Sequence, residues 1–274
     1  MILISCRKDF SNSRDFAERN AIRNYPFLPR LDHFEDLDET GLAQQIEGRH
    51  LLILVHGFRN SLDDVGSAYQ RVLKGLIDSG LMGGTGYGLV LGFTWPGFET
   101  GLGFFPAVPF ANRSAGFFRR LLELASRNAR TVDIQTHSLG ARVVLQTLGA
   151  GTDGFVDNLM MTAAAVDDEV LEPRREFNLA LRECRRCLVY HTQRDTVLKF
   201  AFPLGDAPEF DRALGWKGPQ HPEIIERDCP EVFVIDCKRA VRSHGAYRTA
   251  AAYYEHWSRV LADAPLPRFE LLRG

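Results

Sequence analysis

The sequence predicts an α/β fold, a mostly parallel sheet with helices on both faces. Three observations carry this expectation. Short apolar runs recur at residues 51–55, 89–96, 131–135, 158–166, 187–191 and 231–236, as expected of strands buried on both faces of a parallel sheet. Stretches with helical apolar spacing lie between them, so strand and helix alternate along the chain. Finally, Ser138, Asp195 and His244 each fall shortly after one of these runs. Ligands in such folds bind beyond the carboxyl ends of the strands.

Composition bounds the possibilities. The chain has 274 residues, and no repeat, linker or composition shift divides it, so residues 1–274 are expected to form one domain. Hydrophobic content of 45% and charged content of 25% are those of an ordinary soluble globular chain. A net charge of −2 offers no basic surface for nucleic acid or an anionic membrane. No apolar run reaches the ~18 residues of a membrane span. Residues 1–7 are too short for a signal-peptide core and carry charge right behind them. They read as a first strand, and the expected location is cytoplasmic. The cysteines are Cys6, Cys184, Cys187, Cys229 and Cys237. Their odd count argues for reduced thiols. Cys184-x-x-Cys187 has the form of half a zinc site, with Cys229 and Cys237 as the other half. That second pair is spaced too widely for a usual zinc knuckle. No metal and no organic cofactor is therefore expected.

The elements follow in order. Residues 7–48 are polar and suggest no regular element, and the acidic segment 32–39 reads as a solvated face. The run 51–55 is a buried strand ending in His56-Gly57-Phe58. Ser61 and Asp64 have the spacing of a capping box. The helix behind them carries Val65, Ala68, Tyr69, Val72, Leu73, Leu76 and Ile77 on one face. A Gly-rich stretch at 80–88 ends it, and Pro96 ends the next strand. Residues 98–118 are rich in Phe, with Phe98, Phe104, Phe105, Phe110, Phe117 and Phe118. Two readings stand side by side, a core-facing loop running into a helix over 111–127, or an apolar wall over a substrate pocket. Further on, the spacing predicts a charged helix over 174–185, a long loop over 202–228, a last strand at 231–236 and a helix over 246–262.

The stretch around Ser138 carries the chemistry. A strand over 131–135 runs into Thr136-His137-Ser138-Leu139-Gly140, and apolar residues at helical spacing follow at Ala141, Val143, Val144, Leu145 and Leu148. Strand, sharp turn with Ser at its tip, then helix is the setting of a nucleophile elbow. The usual pattern is Gly-x-Ser-x-Gly. Gly140 supplies the second glycine and Thr136 stands in place of the first. A serine needs a base, and the base needs an orienting group. The order Ser138…Asp195…His244 offers nucleophile, acid and base. In those roles Ser138 attacks, His244 moves the proton, and Asp195 holds the imidazole tautomer. Asp167 and Asp168 also follow a strand, but Asp195 is preferred to them because the long turn after it gives the loop of His244 room to approach. Asp236 is too close in sequence to His244. His56 reads as a brace for the loop that carries it. His137, His191, His221 and His256 read as structural or surface residues.

Val55-His56-Gly57-Phe58, Phe93-Thr94-Trp95-Pro96, His137-Ser138-Leu139-Gly140, Arg194-Asp195-Thr196-Val197 and His244-Gly245 together resemble the α/β-hydrolase superfamily. They are similar in particular to an uncharacterised bacterial branch of it, a domain-of-unknown-function group. The resemblance implies an α/β-hydrolase fold. It also implies an oxyanion hole made by the backbone N–H groups of Phe58 and Leu139. The expected activity is that of a serine hydrolase acting on a small-molecule carboxylic ester or thioester through an acyl-serine intermediate. An amidase or acyltransferase on the same residues, or a non-catalytic binding domain of this fold, are the alternatives. An intact Ser, His and Asp set argues against the last.

Overall fold

The computed structural model describes residues 1–12, 14–26, 31–58, 60–97, 107–152, 154–202 and 212–274. Its strands are β1 (Ile2–Arg7), β2 (Phe16–Asn24), β3 (Glu35–Leu37), β4 (His50–Val55), β5 (Leu89–Thr94), β6 (Thr131–His137), β7 (Val156–Thr162), β8 (Cys184–His191), β9 (Val232–Asp236) and β10 (Phe269–Leu271). The α-helices are α1 (Glu39–Ile46), α2 (Leu62–Asp78), α3 (Val108–Asn128), α4 (Gly140–Gly149), α5 (Thr196–Ala201), α6 (Leu214–Lys217), α7 (Pro222–Asp228) and α8 (Ala251–Leu261). Among the described residues the strands form one sheet in the order β10-β9-β8-β7-β6-β4-β5-β1-β2-β3. Every pair from β10 across to β1 is parallel, and β2 and β3 add an antiparallel edge.

Helices cover both faces, and adjacent residues of β5 show it, because successive side chains of a strand point to opposite faces. Tyr69 of α2 lies against Gly92, where an added Cβ would come 2.5 Å from its ring. Phe118 of α3 meets the next residue, Phe93, edge to face at 5.1 Å. Helix α4 packs beside α3, and α8 beside α2. Burying the apolar faces of such helices stabilises the fold by about 1.5–3 kcal/mol per large side chain. No helix among the described residues is long and apolar enough to cross a membrane.

The structure departs from the sequence expectations at five places. The polar segment 7–48 holds β2, β3 and α1. These lie at the sheet edge, where exposed charged strands are the rule, and Glu35 and Asp36 of β3 are exposed. Asp38 is the N-cap of α1 and accepts from Gly41 N–H at 2.7 Å. The expected helix over 174–185 is instead a single 3-10 segment, Asn178–Glu183, and β8 begins at Cys184. Pro173 and the positive φ of Arg174, 68°, interrupt the turns before it. Helices α6 and α7 occupy part of 202–228. The helix over 246–262 is split at Ala250, which is extended at φ −84° and ψ 112°, into the 3-10 turn Ala246–Thr249 and α8. The strand at 231–236 is not the last, since β10 pairs with it in parallel.

A buried polar ladder fixes three neighbouring strands. Asn158 of β7 donates to Asp133 of β6 at 2.7 Å, and Arg186 of β8 donates to Asn158 at 2.8 Å. These residues are in register across the strands. Arg186 also donates to the Val260 carbonyl of α8 at 2.7 Å. Tyr87 donates to the second oxygen of Asp133 at 2.6 Å and receives the Trp257 indole N–H at 2.8 Å. The ladder thus ties α8 to the sheet.

Candidate active site

Strand β6 ends at His137 and α4 begins at Gly140. Between them Ser138 has φ 55°, in the left-handed region that a non-glycine residue enters at a cost of ~1 kcal/mol or more. The surroundings hold it there. Ser138 N–H donates to the Thr162 carbonyl at 3.0 Å, and its carbonyl accepts from Ala141 at 3.1 Å and Ala165 at 3.2 Å. The close approach at the turn falls on Gly140, where a Cβ would lie 2.5 Å from the His56 carbonyl oxygen and 2.6 Å from that of Val55. Thr136 is still part of β6 and fully buried, and its carbonyl accepts from Thr162 Oγ1 at 2.7 Å. A β-branched residue suits a strand position, which is why the missing first glycine is tolerated.

The loop after β4 lies directly against the serine. A Cβ on Gly57 would come 2.6 Å from Ser138 Cβ and 3.3 Å from its Oγ, so only glycine fits there. Several side chains fix this loop. His56 Nδ1 donates to the Gly57 carbonyl at 2.7 Å, and its Nε2 accepts from Trp95 N–H at 3.1 Å. These partners define a neutral ring, protonated on Nδ1. Burial, then the charge of Arg7, holds the His56 pKa well below the ordinary imidazole value. Asn60 Nδ2 donates to the carbonyls of Gly57 at 3.0 Å and Phe58 at 2.8 Å. Tyr69 OH accepts from His56 N–H at 2.9 Å and donates to the Phe93 carbonyl at 2.6 Å. Leu139 directly precedes α4, so its N–H has no intrahelical acceptor.

Asp195 and His244 come together from loops after β8 and β9. Asp195 is fully buried and is the N-cap of α5. One carboxylate oxygen accepts from Leu198 N–H at 3.0 Å, and the other accepts from His244 Nδ1 at 2.7 Å. His244 is tied in turn to the serine turn. His137 Nε2 donates to the His244 carbonyl at 2.9 Å, and the two rings meet edge to face at 4.6 Å. Burial holds His137 well below the ordinary imidazole value, so the residue beside Ser138 is a neutral brace. The other acids make different contacts. Asp167 bridges to Ala213, Asp168 faces Arg212 at 3.3 Å, and Asp236 pairs with Lys238 at 2.7 Å.

The remaining residues singled out from the sequence have structural surroundings. His191 is buried in β8, His221 contacts Glu172 at 3.0 Å, and His256 meets Tyr190 OH at 2.9 Å. All five cysteines are buried free thiols. Among the described residues no cluster of three or more His, Cys, Asp or Glu is placed to hold a metal ion. Phe110 and Phe117 stack on Phe16 at 5.8 and 5.7 Å, so these two and Phe118 pack against the sheet and its edge. Phe98, Phe104 and Phe105 lie outside the described residues. Sequence reasoning passed over Asn60 and Arg7, and it read Tyr69 only as a core residue. The one signal for Arg7 was a charge ending an otherwise apolar strand.

Comparison with known proteins gives the family of the chain. The family model described as "Alpha/beta hydrolase of unknown function (DUF900)" matches residues 35–207. The matched segment contains Phe58, Ser138, Leu139 and Asp195, and His244 lies beyond it. Comparison with curated proteins finds no match. A solved structure of an uncharacterized protein from Bacillus cereus ATCC 10987 is 13% identical, with a TM-score of 0.36, and the match covers 89% of this chain. It covers 57% of that chain, so the present chain spans little more than half its length.

Proposed function

Since this chain belongs to the alpha/beta hydrolases of unknown function (DUF900), we propose that it is a serine hydrolase cleaving a carboxylic ester or thioester. The observation that carries the reading is the 2.7 Å contact between Asp195 and His244 Nδ1, in a histidine braced against the Ser138 turn. Ser138 Oγ attacks the substrate carbonyl carbon, and its proton passes to His244 Nε2. Asp195 accepts from Nδ1–H, keeps the tautomer that leaves Nε2 free to take a proton, and stabilises the imidazolium. The negative oxygen of the tetrahedral intermediate accepts from the N–H groups of Phe58 and Leu139, each typically worth ~10²–10³ in turnover. Collapse breaks the bond to the alcohol or thiol, which leaves with the proton from His244. Water then attacks the acyl-Ser138 ester by the same route and returns the free enzyme with a carboxylic acid.

The test is a graded series of p-nitrophenyl esters with matched thioester and anilide substrates. The expected result is turnover of esters and thioesters that is lost in Ser138→Ala, with the anilide much slower. A folded protein inert across the whole series, or one whose activity survives Ser138→Ala, contradicts the proposal.

A further inference from the structure

We propose that Arg7 is the positioning residue of the oxyanion loop, acting through Asn60 to aim the Phe58 N–H. This rests on the serine-hydrolase reading above. Arg7 ends β1, a strand paired with β5, and it is only 1% exposed. Its Nε donates to Thr94 Oγ1 at 2.9 Å, at the end of β5, and its Nη2 donates to the Asn60 carbonyl at 2.8 Å. The planar guanidinium therefore bridges the rim of the sheet and the loop after β4, using two donors of one rigid fork.

Asn60 carries the constraint onward. With its carbonyl held by Arg7, its side-chain amide reaches both the Gly57 and Phe58 carbonyls. The Gly57 carbonyl is gripped a second time by His56 Nδ1. In a trans peptide the C=O and the following N–H point to opposite sides of the C–N bond. Fixing the Gly57 carbonyl on Asn60 and His56 thus turns the Phe58 N–H away from them. Gly57 itself touches Ser138, so the orientation of this one peptide sets the geometry at the nucleophile. Such preorganisation matters because a donor must meet the oxyanion without reorganising during the reaction. The charge of Arg7 also helps hold His56 neutral, which preserves the acceptor that His56 offers Trp95.

The test compares Arg7→Met, Arg7→Lys, Asn60→Ala and the Arg7→Met/Asn60→Ala double variant in ester hydrolysis. All are measured at equal folded fraction by circular dichroism. Arg7→Met should lower kcat about 10²-fold, the lower end of what losing one oxyanion donor costs. KM should stay within about twofold, and the pH profile of kcat/KM should not move. Asn60→Ala should give the same loss, and the double variant no more than either single change, because both act on one peptide. Arg7→Lys keeps the charge but not the fork, and should lose about tenfold in kcat. It keeps the test open if Arg7→Met does not fold. Losses that multiply in the double variant, a kcat for Arg7→Lys equal to wild type, or a loss that appears in KM alone overturns the inference. A wild-type protein that neither turns over esters nor reacts with a fluorophosphonate removes the serine-hydrolase reading and this inference with it. A reactive wild type with normal Arg7 variants removes the inference alone.

Discussion

At the scale of single residues the site depends on a few close approaches and one hydrogen bond. Asp195 has two duties, capping α5 and accepting from His244. Asp195→Asn separates them, because Asn is as good an N-cap as Asp while its amide fails to hold the imidazole in the right tautomer. In serine proteases that change costs ~10⁴ in turnover, and a loss of that order is expected here near neutral pH, in steady-state ester hydrolysis. Asp167→Asn should lose far less, since the carboxylate that His244 Nδ1 meets is that of Asp195. The reverse ranking would move the acid to Asp167. Ser138, Asp195 and His244 were legible in the sequence as candidates because each is a chemically distinctive side chain just past a legible strand. Asn60 could not. Its part is to hold two backbone carbonyls, and no sequence spacing announces such bonds.

At the scale of elements, α2 reaches through to the ends of β4 and β5. Its capping box, Ser61 with Asp64, was readable from spacing and is present. Its apolar face also carries a polar group whose duty was not readable. Tyr69 OH is the acceptor for the buried His56 N–H. Tyr69→Phe leaves that donor unsatisfied, at a cost of about 1–3 kcal/mol, and loosens the start of the loop beside Ser138. A drop of that size in the urea-derived stability is expected together with a lower kcat. Unchanged stability would mean that another acceptor takes the His56 N–H. The central parallel strands were legible because burial on both faces leaves a continuous apolar run. Edge strands β2 and β3 face water and carry charge, and β10 spans only three residues, so none of them leaves such a signature. The expected helix over 174–185 failed because Pro173 and Arg174 break the backbone where a charge pattern alone suggested a helix.

At the scale of the whole molecule, the ladder Asp133–Asn158–Arg186 predicts a pH dependence of stability. Burial raises the Asp133 pKa from 3.8 to about 6, against the opposing bonds from Tyr87 and Asn158. A carboxyl raised in the folded state binds its proton more tightly there than in the unfolded chain. Its contribution to stability is therefore full below the unfolded value and is lost as pH rises through about 6. A shift of this size corresponds to roughly 3 kcal/mol. Asp133→Asn removes that titration, so relative to wild type the variant should gain about 2–3 kcal/mol between pH 4 and pH 7 in urea unfolding. A difference that stays flat with pH would show that Asp133 keeps an ordinary pKa. The family match supports the hydrolase architecture across residues 35–207. Beyond the ends of β6, β8 and β9 lie the strained turn at Ser138 and the Asp195–His244 contact, whose His244 falls outside that matched segment.

Whether Ser138 is the nucleophile is tested by covalent labelling of the folded protein with a fluorophosphonate, followed by peptide mass spectrometry. A single modified residue, Ser138, is expected. No label is expected in Ser138→Ala, and labelling should slow in Asp195→Asn and in His244→Ala. Label that persists in Ser138→Ala, or a folded wild-type protein that never reacts, would contradict that role for Ser138.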